Sequence, residues 1–346
     1  MRAKIAIILL MLGGCIYSCK KDHSPEPSVD TKKLEEAFSS TKQIGNLKSL
    51  VVFHKDSIIK EVYYGTGGAD LRHDARSVTK SVTGILIGIA IDKGYLSSID
   101  QTLGEFIDPQ DYTIAAEKSA IKISHLLTMS SGFEWNELTS VSGYNDWILS
   151  SNQVQYLLDK PLANQPGQYF TYNSAALHLL SVIIAKAAGM TTHDFAMKYL
   201  FEPLDIAEIE WQVDTQGFNN GAAGLKITPH DMIKIGRLIL NHGIYNGKTI
   251  VSSEYVDQTI NTKISTNGVL PFGSGYGYCW WTGQNSKGSY VFANGYGGQF
   301  IVIVPNLDLI VVATNQWSGV QSTIANDQWY RTLDLIINKI TIAINK

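Results

Sequence analysis

Arg76-Ser77-Val78-Thr79-Lys80 runs directly into Ser81-Val82-Thr83-Gly84-Ile85-Leu86-Ile87-Gly88-Ile89-Ala90-Ile91-Asp92-Lys93-Gly94-Tyr95, and the reading of this stretch decides the rest. Val78, Val82, Ile85, Leu86, Ile89 and Ala90 recur at helical spacing, and Gly94 closes the pattern. A helix this apolar is a buried one. Ser77 and Lys80 are spaced i, i+3, so they share a face one turn apart. A serine at the first turn sits in the field of the positive helix end, which favours developing negative charge. A neighbouring lysine whose pKa is lowered by burial can take the hydroxyl proton. The same spacing recurs at Ser18/Lys21, Ser39/Lys42, Ser57/Lys60 and Ser119/Lys122 without that context. Ser18 lies in an export signal. Ser57 and Lys60 lie in an alternating pattern, where i and i+3 point to opposite faces. Ser39 and Ser119 have no long apolar helix behind them. The bland alternative makes Ser77 an N-cap, with Thr79 and Lys80 in solvent.

Strand signals lie at both ends of the chain. Leu47 to His54 and Ile58 to Tyr64 alternate apolar and polar residues around His54-Lys55-Asp56-Ser57, which predicts a β-hairpin. Ser289 to Ala293, Gln299 to Val304 and Leu309 to Thr314 read as three strands, with Pro305-Asn306-Leu307-Asp308 as a turn. Between the two ends the pattern is helical from Asp100 to about Asn220: Ser124–Met129, Ala175–Ala188 closed by Gly189, and Thr192–Leu200. Thr228-Pro229 starts another helix, capped by Thr228, that runs to Asn241-His242-Gly243. Ile324 to Ile344 predicts a closing amphipathic helix. The implied class is α+β: one antiparallel sheet built from both chain ends, flanked by helices, with an all-helical subdomain inserted at about 100–222.

The amino terminus reads as an export signal over residues 1–19. Arg2 and Lys4 precede a short apolar core, Ile5 to Leu12. Cys19 follows a small residue, as in a lipoprotein processing box, and leads into a polar, proline-bearing tether over 20–32. Cys15 is the rival lipidation site. The folded domain is expected over 33–346. Cys279 is the one remaining cysteine, so no internal disulfide staples the fold. The eight histidines are scattered without zinc spacing, and a net charge of −3 gives no case for nucleic acid or a broad membrane-binding face.

A serine nucleophile needs a base and an oxyanion site. Pro166-Gly167-Gln168-Tyr169-Phe170-Thr171-Tyr172-Asn173-Ser174 places Tyr172 at a turn-to-helix junction, where a phenol can point into a cleft. Beside a lysine ammonium that phenol is expected to ionise below its free value of about 10. An interfacial structural tyrosine is the alternative, in a chain with 17 tyrosines. Ser150-x-Asn152 is a weaker rival motif. The oxyanion donors are expected from the Ser77 N–H and from Ala293-Asn294-Gly295-Tyr296-Gly297-Gly298, where glycines mark close backbone approach. No G-x-S-x-G and no H-E-x-x-H occurs. His73-Asp74 are too close to Ser77 for an ordered relay. His178 reads as a structural histidine, with a supporting role behind Tyr172 as the alternative. Tyr276, Tyr278, Trp280 and Trp281 line a substrate wall or form the core of an edge strand.

Several ordered strings together resemble the serine β-lactamase and penicillin-binding protein superfamily, closest to the class C β-lactamase branch and its esterase-like relatives. They are Ser77-Val78-Thr79-Lys80-Ser81, Ile123–Gly132, Pro166–Ser174, Leu200-Phe201-Glu202-Pro203-Leu204 and Gly224–Met232, and the likeness covers roughly residue 47 onward. The resemblance implies a serine hydrolase in which Ser77 is acylated, Lys80 relays its proton, Tyr172 is the base, and the Ser77 and Tyr296 N–H groups hold the oxyanion. It implies no metal and no organic cofactor. Two departures stand out. The usual Tyr-x-Asn ends here in Ser174, expected to donate to substrate or to Lys80. The usual Lys-Thr-Gly or His-Thr-Gly is replaced by Ala293-Asn294-Gly295, which removes the cation that would hold a substrate carboxylate. The expected substrate is therefore a neutral small-molecule ester or amide, peptide-like at most, and the expected place is a bacterial cell envelope, with a lipid anchor as the only membrane contact. A non-catalytic sensor or peptidoglycan-binding module that kept the fold is the alternative.

Overall fold

The computed structural model describes residues 28–65, 68–140 and 142–345. The export signal, Cys15, Cys19 and most of the tether lie outside the described residues. Where the tether was expected to continue to residue 32, Ser28–Val29 instead pairs antiparallel with Ile344–Asn345, and helix α1 (Thr31–Ser39) begins under the Asp30 cap. The packed chain thus starts before residue 33. The reason is the buried stripe Leu34, Ala37 and Phe38, which holds α1 against the end of the chain.

The expected hairpin forms as β1 (Leu47–His54) and β2 (Ser57–Tyr63). Its alternation is not what positions β1, which is buried almost throughout because helices cover both sheet faces. After α2 (Val78–Asp92) come short helices and then α3 (Ser174–Ala188), ended by Gly189 in the left-handed conformation. Thr228 caps α4 (Pro229–Leu240) through the Asp231 N–H, and α5 (Ser253–Ile260) follows.

The last third holds more strands than the sequence suggests: β3 (Ile264–Leu270), β4 (Gly273–Tyr276), β5 (Trp281–Asn285), β6 (Gly288–Gly295), β7 (Gln299–Val304) and β8 (Leu309–Asn315). The closing helix α6 (Ser322–Leu335) continues irregularly to Ala343, and Ile344 leaves it for the strand pair with Val29.

One antiparallel sheet runs in the order β2-β1-β8-β7-β6-β5-β4-β3. Its centre joins the chain ends, with Val51 opposite Val312. Sides of the central strands alternate between two helical layers. Ile301 and Ile310 pack beneath Gly236 of α4, whereas Phe300 meets Trp329 of α6. α2 shares the α4 side, against β6 and β7, and also packs on α3. It is therefore the joint between the sheet and the helical residues.

Gly88 of α2 lies under the ring of Tyr255 from α5, and the Tyr255 hydroxyl donates to the Gly84 carbonyl at 2.7 Å. An alanine methyl at residue 88 would overlap that ring. Gly88→Ala is expected to cost about 2 kcal/mol despite its better helix propensity. Calorimetry should show a melting temperature lower by a few degrees.

Candidate active site

Ser77 sits at the start of α2, and its side chain does not cap the helix. Its Oγ instead accepts a hydrogen bond from Lys80 Nζ at 2.8 Å. Lys80 is 2% exposed, not solvated, and its second bond goes to the Ala222 carbonyl at 2.9 Å. Burial lowers its pKa from the ordinary 10.5 to about 8, the Arg76 charge adds to this, and Glu137 opposes it. A buried amine near neutrality is a usable proton acceptor.

The loop that carries Ala222 is pinned from several sides. Asn220 Oδ1 accepts from the Ala222 and Ala223 N–H groups, and Trp211 Nε1 donates to the Asn220 carbonyl. His178 Nδ1 accepts from the Gly221 N–H, so its proton is on Nε2 and is donated to Asp214 at 3.0 Å. His178 is thus structural, and it reaches the site only by fixing the acceptor of Lys80. Nothing local in residues 219–223 signals this role.

Tyr172 comes to the same place from the start of α3. Lys80 Nζ lies 4.9 Å from the centre of its ring. Trp281 stacks on the ring at 5.9 Å, backed by Tyr276 and Phe170. The aromatic cluster of β4 and β5 is therefore core, and its buried member Trp281 is the wall behind Tyr172. The expected low phenol pKa is wrong. Burial pushes Tyr172 well up, Glu137 adds to this, and the contact with the Ser77 hydroxyl only partly offsets it. The ammonium approaches the ring face, where it stabilises the phenol's position more than a phenolate charge.

Ser174 does not face a substrate. Its hydroxyl and its N–H donate to Glu137 at 2.6 and 2.8 Å, and Trp135 Nε1 donates to the same carboxylate at 2.6 Å. Glu137 is a site residue that no motif announced. Asn173, the middle residue, caps α3 through the Ala176 N–H. Asn152 of the rival motif merely caps the helix Gln153–Leu158.

On the sheet side, β6 ends at Gly295, and a side chain there would sit 2.5 Å from the Ala75 carbonyl. This close approach brings the turn at Tyr296 against the segment that leads to Ser77. Among the described residues, neither the Ser77 N–H nor the Tyr296 N–H has a hydrogen-bond partner. Asn294 points the other way: its Oδ1 accepts from Trp329 Nε1 at 2.6 Å, so it ties β6 to α6 and offers no acceptor to the cleft. Cys279 is buried as a free thiol with its pKa pushed up by burial, packed against Gly84 of α2.

The β-lactamase family model matches residues 35–333 of the chain. The 6-aminohexanoate-dimer hydrolase of Paenarthrobacter ureafaciens is 25% identical over 324 residues, covering 83% of this chain and 79% of that protein. A Bacillus anthracis structure provisionally named a 6-aminohexanoate-dimer hydrolase superposes with a TM-score of 0.73 at 19% identity, over 88% of this chain and 81% of its own. An octameric penicillin-binding protein homologue from Pyrococcus abyssi gives a TM-score of 0.66 at 21% identity, over 89% and 77%. These two likenesses carry the fold alone.

The Lys80 environment sets a pH dependence. Below about 8 the amine holds its proton and cannot accept one from Ser77. Modification of Ser77 by a fluorophosphonate is expected to rise roughly tenfold per pH unit up to that value and then level off. Tyr172 stays protonated and adds no second limb in this range. Labelling rates read by mass spectrometry between pH 5.5 and about 9.5 check this; a flat profile would remove Lys80 as the acceptor.

Proposed function

The chain belongs to the β-lactamase family and is a serine hydrolase, and on that premise we propose that it cleaves amide or ester bonds through an acyl-enzyme on Ser77. The observation that carries this reading is the hydrogen bond that the buried Lys80 amine makes to Ser77 Oγ. Neutral Lys80 takes the hydroxyl proton as Oγ attacks the substrate carbonyl. The Ser77 and Tyr296 N–H groups face the oxyanion. As the tetrahedral adduct collapses, the protonated Tyr172 phenol gives its proton to the leaving nitrogen or oxygen and recovers one from the Lys80 ammonium. Water then attacks the acyl-enzyme, gives a proton to Lys80, and the acid leaves as Ser77 regains its hydrogen. The class C branch is the finer assignment, supported by Tyr172 in the place of that branch's base.

The relative from Paenarthrobacter is named for hydrolysis of an amide dimer, which supports a small-molecule amide as the natural substrate. A phenol held neutral supports it too, because an amine leaving group must be protonated to depart. On the reading of residues 1–19 the enzyme is anchored to the bacterial envelope by a lipid on Cys19, with Cys15 as the alternative. Cys19→Ser should then move the protein from the membrane to the soluble fraction, and no change on fractionation would exclude Cys19.

Turnover of p-nitrophenyl butyrate, with covalent labelling of Ser77, tests the chemistry. Ser77→Ala and Lys80→Ala are each expected to lose at least about a thousandfold in kcat. Gly295→Ala is expected to lose about tenfold to a hundredfold, because it pushes the Tyr296 N–H away from the oxyanion. An intact fold with unlabelled Ser77 would leave only the non-catalytic sensor reading.

A further inference from the structure

The third-motif cation is missing, yet the site has a cation of its own. Arg76 directly precedes Ser77 and adopts a left-handed backbone with φ 49°. That conformation is uncommon for a non-glycine residue, and here it turns the side chain away from the helix that follows. The Asp74 carboxylate holds it by accepting the Arg76 N–H at 2.8 Å.

The guanidinium lies with its Cζ 4.2 Å from the Trp317 ring centre and 5.9 Å from that of Tyr144. Trp317 follows β8 and meets Tyr296 edge-on at 6.5 Å, whereas Tyr144 belongs to the helix Ser142–Ile148. Arg76 thus spans from the sheet wall to the helical wall beside Ser77. Stacking on Trp317 uses the face of the guanidinium and leaves its in-plane N–H donors free to bond other groups.

The Tyr144 hydroxyl draws on the guanidinium, which lowers its own raised pKa in part, but among the described residues no carboxylate pairs closely with it. Nε is buried with no hydrogen-bond partner. Among the described residues the one carboxylate in range, Asp74, is 3.9 Å from Nη1, beyond hydrogen-bond distance, and its other oxygen is committed to the backbone. Glu137, the other acid near the site, is engaged by Trp135 and Ser174. A buried donor without a partner is expensive, and a side chain that is 19% exposed stays open to a ligand from the cleft. The Arg76 charge is felt at Lys80 and at Tyr172, so it acts on the same cleft.

We propose that Arg76, stacked on Trp317 beside Ser77, binds a carboxylate of the substrate, so that the preferred substrates are small amides or esters carrying a free carboxylate. This rests on the acyl-enzyme reading above and departs from the expectation of a neutral substrate, since the cation comes from a different position in the chain. A planar guanidinium matches a carboxylate with two parallel hydrogen bonds.

Three chromogenic esters test it: p-nitrophenyl butyrate, mono-p-nitrophenyl adipate with the carboxylate on the acyl half, and 5-(butyryloxy)-2-nitrobenzoate with it on the leaving half. In the unaltered enzyme at least one charged ester should exceed the butyrate in kcat/KM. In Arg76→Gln the charged-to-neutral ratio should fall by about tenfold to a hundredfold, and Arg76→Lys should keep part of it. A ratio of one or below in the unaltered enzyme, or a ratio unmoved by Arg76→Gln, overturns the proposal. Adipate alone serves as a binding probe: it should raise the melting temperature of the unaltered protein and not that of Arg76→Gln. An inert Ser77 with adipate binding still dependent on Arg76 would sink the acyl-enzyme reading and spare the carboxylate site. Turnover of all three esters without any Arg76 dependence would do the reverse.

Discussion

The molecule depends on an amine held in an apolar interior. Lys80 has two acceptors, the Ser77 hydroxyl and the Ala222 carbonyl, and almost no water. Below pH 8 it is charged in the folded and unfolded chain alike, and the folded state bears the cost of burying that charge. From about 8 to the ordinary 10.5 the folded chain has lost the proton and the unfolded chain has not, so stability rises with pH through that window. The full difference corresponds to about 3 kcal/mol, on the order of a quarter to a half of a domain's net stability. Such a cost persists only where the surroundings over-determine the group. Here they do: α2 carries the amine, α3 supplies His178, and His178 with Asn220 fixes the loop that presents Ala222.

This explains why the architecture pairs a sheet with a helical insertion. Ser77 and Lys80 belong to a helix packed on the sheet, the second oxyanion candidate, Tyr296, comes from the turn that joins the interior strands β6 and β7, and Tyr172 and Ala222 come from the insertion. No one layer holds a complete site. Gly295 against Ala75 and Trp281 against Tyr172 set the two distances on which the cleft relies. Neither contact joins residues near in sequence, so the site forms only when the chain ends have met in the sheet.

What was legible in the sequence was what is written locally. Thr228-Pro229 declared its helix, Gly189 its stop, and the apolar run after Ser77 its burial, because caps and periodicity act over a few residues. The paired N- and C-terminal strands followed from the placement of strand signals. The strands from residue 264 to 285 were missed because Gly273, Gly275 and Gly283 weaken the pattern; each lets a bulky partner approach, such as Trp281 over Gly273. Glu137, Ala222 and Arg76 were not readable as site residues, since their roles are set by burial and by partners far along the chain. Tyr172 shows the limit most clearly: its place was visible, but the direction of its pKa depends on Trp281, Glu137 and burial, none of which the motif contains.

The charges around the serine follow one logic. Lys80 must lose a proton readily, and Arg76 nearby promotes that by repulsion. Burial makes the amine an acceptor and keeps the phenol a proton donor, while Glu137 opposes the first effect and adds to the second. Burial is what separates the two pKa values, because it lowers the amine and raises the phenol, whereas Arg76 lowers both and Glu137 raises both; a donor and an acceptor with separated values can act in one step on opposite ends of a bond. If Tyr172 were a phenolate, Lys80 would be held as its ammonium partner and neither would serve. Two of the departures from the family's motifs then have a common consequence. Ser174 brings Glu137 to the pair, and the guanidinium of Arg76 restores, from the other side of Ser77, a positive charge that the strand no longer carries.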